Sequence, residues 1–278
     1  MTTPAPVAFE TLRLSNQGPV ATITLDRPQR LNAAPPQMFD EIHEALQQLP
    51  SLGARALVIT GEGRAFCSGA DLSGRGSEPA ASPSANPNAT SRGAGAYKAL
   101  TEHYGPTMLA LAKLNIPIVA AVNGVAAGIG CSLALACDFV VAARSAYFLE
   151  AFVNIGLVPD GGATWMLPRL VGKARAVEMM LLGERITADK AEAWGLIHKA
   201  VDDAELTPQA MALAERLAAG PTRALGLMRQ GLARALEQSY AEALATEATH
   251  QMIAGDTADA REGALAFLER RKAVFKGA

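Results

Sequence analysis

Between Leu114 and Cys137 the chain carries no charged side chain. A run of that length raises a membrane-spanning helix. Its own residues argue against one: Pro117, Asn123, Gly124, Gly128 and Gly130 interrupt it, and many of the rest are only alanine. A buried strand and helix of a large core fits better. Ile118 to Val122 reads as the strand, Asn123-Gly124 as a turn, and Cys131 to Cys137 as a tightly packed helix entered through Gly128 and Gly130. Glycines directly before a helix leave backbone N–H groups bare at its positive end, where negative charge can be held. Further on, Asn154 to Gly162 places one carboxylate, Asp160, between Pro159 and Gly161-Gly162.

A chain of 278 residues, half of them hydrophobic, buries a sizeable core. Its net charge of −2 and pI of about 6.1 argue against a dedicated nucleic-acid surface. Three cysteines (Cys67, Cys131, Cys137) are too few for a disulfide framework, and their spacing is not a metal signature. The first residues, MTTPAPVAFE, lack a basic and an apolar region of the secretory kind, so a cytoplasmic protein off the membrane is the expectation.

Taken in order, Leu12 to Leu14 and Val20 to Leu25 flank Asn16-Gln17-Gly18-Pro19 and predict a hairpin. Pro36 to Leu49 carries Met38, Phe39, Ile42, Ala45, Leu46 and Leu49 on one helical face. Ala56 to Thr60 predicts a strand. Beyond Gly69, Asp71 can cap the next element. From Ser73 to Ala96 only small and turn-forming residues dominate, which predicts a mobile surface loop and a candidate lid. Tyr97 to Leu114 is helical, Phe139 to Ala142 a strand, and Gly162 to Leu167 a helix stopping near Pro168. Helices follow over Lys173 to Leu182 and from Thr187 to Trp194, and Leu196 to Val201 predicts an edge strand. After Asp202-Asp203 no strand pattern remains. The expectation is an α/β body over residues 1–205 and a helical region over 206–278.

The glycine turns at Gly69 and at Gly128 to Gly130 are each expected to precede a helix start. Brought together, the N–H groups of Ala70 and Ile129 make the minimal oxyanion hole, worth several kcal/mol in a transition state; apart, they are two unrelated turns. By the residues alone Asp160 reads as a helix N-cap. Ser132 is not in a G-x-S-x-G elbow, and none of the four histidines has a readable pairing with it, so packing is its simpler role. The glycine spacing fits neither a Walker motif nor a dinucleotide fingerprint.

FCSGADL, AVNGVAAGIGCSLALACD and NIGLVPDGGATWMLPRLVG, with ITLDRPQRLNA before them and REGALAFLERRKAVFKG after, together resemble the crotonase (enoyl-CoA hydratase/isomerase) superfamily. The resemblance runs nearly end to end. It implies a spiral of ββα units with a C-terminal all-helical oligomerisation region, assembled as a homotrimer or a dimer of trimers. It implies an acyl-CoA substrate, coenzyme A arriving as part of that substrate rather than as a resident cofactor, and an enolate held by the N–H groups of Ala70 and Ile129. It also suggests CoA contacts at Gln29, Arg30, Ser68, Ala70, Asp71 and Leu72, with Phe267 and Arg270 reaching a neighbouring subunit's CoA; each of these can equally be an ordinary surface residue.

The departures from the family pattern carry the most information. Hydratases of the superfamily use two glutamates, whose positions here hold Ser132 and Phe152. Neither does general acid–base work at neutral pH unaided. Asp160 remains, at a position used by some isomerase branches, and its surrounding stretch most resembles the ring-epoxide isomerase branch. The resemblance therefore favours Asp160 as acid and base over Asp160 as a cap, in a pocket shared with Phe152, Val158 and Trp165 where desolvation raises its pKa. Glu150 is a reserve candidate whose simpler reading is structural or solvent-facing. An acyl-CoA isomerase moving a double bond or opening a ring epoxide leads. A hydratase with replaced acids, a CoA-thioester hydrolase, a non-catalytic acyl-CoA binder and an RNA-binding protein stay open behind it, the last with little support from the charge.

Overall fold

The computed structural model describes residues 9–73, 91–235 and 237–278. Most of the loop expected over 73–96 lies outside them. Its last part is not loop: Ser91 accepts a hydrogen bond from Ala94 N at 3.1 Å and caps a helix, α2 (Arg92–Ala99). The serine cap starts the helix even though Gly93 and Gly95, poor helix formers, stand in its first turns. One π-helical turn (Leu100–Tyr104) joins α2 to α3 (Gly105–Lys113).

The hairpin is β1 (Leu12–Gln17) and β2 (Val20–Leu25), paired antiparallel from Leu12↔Leu25 to Gln17↔Val20. The predicted first helix is α1 (Pro36–Gln48), with Met38, Phe39, Ile42, Ala45 and Leu46 buried. Three strand–strand–helix units come next. Their strands are β3 (Ala56–Gly61) and β4 (Ala65–Cys67), β5 (Ile118–Val122) and β6 (Val125–Ala127), and β7 (Phe139–Ala143) and β8 (Tyr147–Leu149). The first strand of each unit joins a six-stranded sheet, in the order β1-β2-β3-β5-β7-β10, which is parallel beyond the hairpin and ends at β10 (Lys199–Val201). The second strands form a smaller sheet, β4-β6-β8-β9, closed by the antiparallel β9 (Ile186–Thr187). The second sheet was not legible as strands because its members are two or three residues long, too short for any period to show.

The uncharged run is thus two strands and a helix rather than one. β5 is buried along its whole length, and α4 (Ile129–Leu135) is buried at every residue and packs on β4, β5 and β6. α5 (Ala163–Leu182) continues past Pro168 and turns sharply at Gly172 instead. Proline early in a helix removes a single hydrogen bond, whereas Gly172 leaves helical geometry altogether (φ 77°, ψ 163°). α6 (Ala188–Ala193) is capped by the predicted Thr187, which accepts from Lys190 N at 3.3 Å.

The last elements are α7 (Leu206–Ala218), α8 (Thr222–Ala235), α9 (Tyr240–Gly255) and α10 (Ala258–Leu268). α7 covers β2, β3, β5 and β7. α8 is tied to the body by Arg229, whose Nε reaches both Asp138 carboxylate oxygens at 2.7 and 2.6 Å while its other nitrogens meet the carbonyls of Leu111 and Leu114. Asp138 also accepts from Ile118 N at 2.7 Å, so one pair fixes α8, the end of α3 and the start of β5. Among the described residues no helix is long and apolar enough to cross a membrane.

Candidate active site

The two glycine turns meet. A Cβ built on Gly69 lies 3.2 Å from Ala127 O, and one built on Gly128 lies 3.9 Å from Gly69 Cα. Gly128 (φ 53°, ψ −127°) takes a conformation barred to other residues and delivers Ile129 as the first residue of α4, so the Ile129 N–H is one of the bare donors at the helix start. Opposite, Ala34 N bonds Gly69 O at 2.8 Å and Asp71 N bonds Ala34 O at 2.9 Å. In such a parallel bridge the N–H of the intervening residue, Ala70, points to the other side. Ala34 O receives a second donor: the hydroxyl of Tyr104, from the π-helical turn, at 3.0 Å.

Asp160 reaches this place through α4. The Ser132 hydroxyl, fully buried, donates to the Asp160 carbonyl at 2.9 Å. Gly161 follows at φ 60°, and a Cβ there would lie 2.4 Å from Ile129 Cδ1 and 2.7 Å from Ser132 Cβ. The Asp160 loop is therefore pressed onto the first turn of α4. Asp160 does not cap α5: Gly162 occupies the N-cap position, and no side chain caps the helix. Phe152 lies across Gly128, its ring 3.5 Å from where a Cβ would stand. An apolar ring and a hydroxyl committed to a backbone carbonyl thus fill the two positions that the resemblance matched to a hydratase's glutamates.

A cleft of about 920 Å³ opens beside Asp160. Leu100, Tyr104, Met108 and Leu109 form one wall, Trp165, Met166 and Arg169 another, and Arg229 with Asp138 lies on the α8 side. Trp165 Nε1 donates to Glu237 at 2.9 Å, and the Arg169 guanidinium stacks on the indole 4.1 Å from its centroid. Val158, expected to help enclose Asp160, is 79% exposed and does not line this cleft.

Glu150 is the largest departure from expectation. It is not solvent-facing: it is 0% exposed, and among the described residues neither carboxylate oxygen meets a nitrogen or oxygen donor, with only the weak Cys131 thiol beside it. It directly follows Leu149, the last residue of β8, whose carbonyl accepts from Gly128 N at 2.8 Å. Burial pushes its carboxyl up to about 7, the Cys131 thiol (a weak donor) acts against the rise, and the charge of Asp160 adds to it. Cys131 is itself pushed well up, by burial first and by Glu150 second.

The proposed CoA contacts fall into two groups. Gln29 and Arg30 form an exposed single turn (Pro28–Arg30), and Ser68 N bonds Leu31 O at 3.0 Å, which brings that turn beside Ser68, Ala70, Asp71 and Leu72. Asp71 caps no described helix. Hydrogen bonds from Ser73 and the Arg27 guanidinium, 2.8 Å away, hold its carboxyl down at about 2. Phe267 and Arg270 lie at the end of α10, which packs on α9; Phe267 is 83% exposed.

Paired sheets built from strand–strand–helix units, with two glycine turns meeting where the units join, define a class that likeness to known proteins identifies. The chain belongs to the enoyl-CoA hydratase/isomerase family, whose profile matches residues 15–278, and its fold is the crotonase fold. It is 42% identical to the 1,2-epoxyphenylacetyl-CoA isomerase of Escherichia coli over 93% of this chain and 95% of that protein. It is also 42% identical to a "Probable enoyl-CoA hydratase" of Rhodobacter capsulatus, over 98% and 100% of the two chains. The crystal structure of an enoyl-CoA hydratase from Mycobacterium smegmatis superposes with a TM-score of 0.85 at 32% identity, covering 96% of this chain and 99% of that one.

Proposed function

We propose that the chain is an acyl-CoA isomerase that moves a double bond, or opens a ring epoxide, in a CoA thioester. The thioester carbonyl oxygen is received between the N–H groups of Ala70 and Ile129. There the α-proton is acidified, because the electron pair left behind is delocalised onto an oxygen that both donors stabilise. Asp160 takes that proton and, in a double-bond shift, returns it to the γ-carbon as the pair moves back through the enolate. The acyl group lies in the apolar cleft, and the adenine end of CoA follows the turn at Gln29 and Arg30 and the segment Ser68 to Leu72. The working form is a trimer or a dimer of trimers, in which Phe267 and Arg270 reach a neighbour's CoA. Its support is the exposure of the large apolar side chains of Ile155, Leu157, Leu181 and Leu182.

One observation carries the isomerase reading. Asp160 is fixed to the first turn of α4 by Ser132 and Gly161, while the two neighbouring positions that a hydratase would fill with acids are Ser132 and Phe152. One carboxylate suffices to move a proton; holding and splitting water for addition takes two groups.

The test uses a 3-enoyl-CoA and follows the appearance of the conjugated 2-enoyl thioester. Asp160→Asn should lower kcat by about 10²- to 10⁴-fold, the usual worth of a general acid–base group, and leave CoA binding within a few-fold. Full turnover by the variant, or hydration of a trans-2-enoyl-CoA by the parent as fast as isomerisation, would overturn the reading.

A further inference from the structure

Glu150 has no part in that mechanism, yet it is the most unusually placed acid in the site. With no nitrogen or oxygen donor to either oxygen and only the weak Cys131 thiol beside it, a carboxylate at zero exposure is poorly stabilised as an ion, so below neutrality the resting form is the neutral acid. Its surroundings are fixed from three sides. β8 sets its backbone through the Gly128 N to Leu149 O bond, α4 presents the Cys131 thiol, and the loop clamped by Ser132 presents Asp160. Cys131 and Asp160 are the titratable groups whose charge acts on it. The same α4 turn that carries Cys131 begins with the Ile129 donor.

Resting on the reading of Asp160 as the acid and base, we propose that Glu150 is a positioning residue of the reaction. It is an un-ionised carboxylic acid packed behind Asp160 that keeps the pair at a single negative charge, and its ionisation sets the alkaline limit of turnover. A second charge behind α4 would oppose the enolate forming at the Ile129 N–H, in a region buried from solvent where screening is weak. Two interacting carboxylates lose their protons in steps that belong to the pair, so the first charge raises the cost of the second. Burial first, and then the charge of Asp160, push the Glu150 carboxyl up to about 7.

Two measurements on the full-length protein test this. In the parent, kcat/KM should fall above neutrality by about tenfold per pH unit, as for loss of one essential proton. In Glu150→Gln, which keeps the shape and cannot ionise, the profile from pH 6 to 8.5 should be flat, at whatever level it begins. Infrared spectroscopy of the resting protein should show a buried protonated carboxyl band that disappears as the pH is raised through neutrality. In Asp160→Asn the band should persist with its midpoint moved to lower pH, because the opposing charge is gone. An alkaline limb that survives unchanged in Glu150→Gln, or a band midpoint indifferent to Asp160→Asn, overturns the proposal. The infrared result needs neither turnover nor a folded Glu150 variant. Full activity in Asp160→Asn would instead refute the isomerase reading, while the band still reports on the pair.

Discussion

Replacing Glu150 by glutamine removes one titration from the folded protein and leaves the side chain's shape nearly unchanged. The consequence for stability comes from linkage. The folded-state value, about 7, lies above the ordinary 4.5. The unfolded chain therefore releases this proton first, and stability is intact below about pH 4.5 and is lost as pH rises through 7. A rise from 4.5 to about 7 corresponds to roughly 3 kcal/mol once fully developed, of which about 2.5 kcal/mol appears between pH 5 and pH 8. Other titrations are common to parent and variant and cancel in the difference. Urea unfolding of both proteins at fixed protomer concentration, at pH 5 and at pH 8, reads the quantity directly. Glu150→Gln should gain about 2 to 3 kcal/mol on the parent across that interval. A difference between the two that stays constant within about 0.5 kcal/mol would mean that Glu150 is ionised in the fold already, and the argument from burial would fail.

Two further outcomes are expected. Gly130→Ala places a Cβ 2.4 Å from Cys67 O and 2.7 Å from Cys67 Cβ, so α4 must lift from β4; the cost should be about 1–3 kcal/mol, with kcat falling more than KM rises because the Ile129 donor moves relative to Ala70. In sedimentation velocity the parent should run as a trimer or hexamer and Leu181→Glu as a smaller species, since a charge in an apolar interface is left unpaired; a monomeric parent would refute the assembly.

The hairpin, α1, β3, β5, α6 and the closing helices were legible because each has a period or a cap in its own sequence. The smaller sheet was not. Ala65–Cys67, Val125–Ala127 and Tyr147–Leu149 are strands only because neighbours from other units pair with them. The site shows the same division. Glycines at 69, 128 and 161 announce tight turns, but only the packed structure sets Gly69 against Ala127 and Gly161 against Ile129. Glu150 follows Tyr147-Phe148-Leu149, and an acid ending a short strand ordinarily faces water. What buries it is α4, folded over it, along with the Asp160 loop, and no local pattern carries that information.

The Ala34 carbonyl, shared by Asp71 N and the Tyr104 hydroxyl, links two functions that are usually treated as separable. Tyr104 lines the cleft proposed to take the acyl group, and Asp71 is the residue after Ala70, one of the two proposed donors. Tailoring this scaffold to a new acyl group is therefore not a matter of the cleft alone. Any change that turns Tyr104 away leaves one peptide oxygen with a single partner, and that peptide is the rail on which the Ala70 donor rides. Engineered selectivity that spares Tyr104, working through Met108, Leu109 or Met166 instead, alters the fit of the substrate without loosening the grip on its carbonyl.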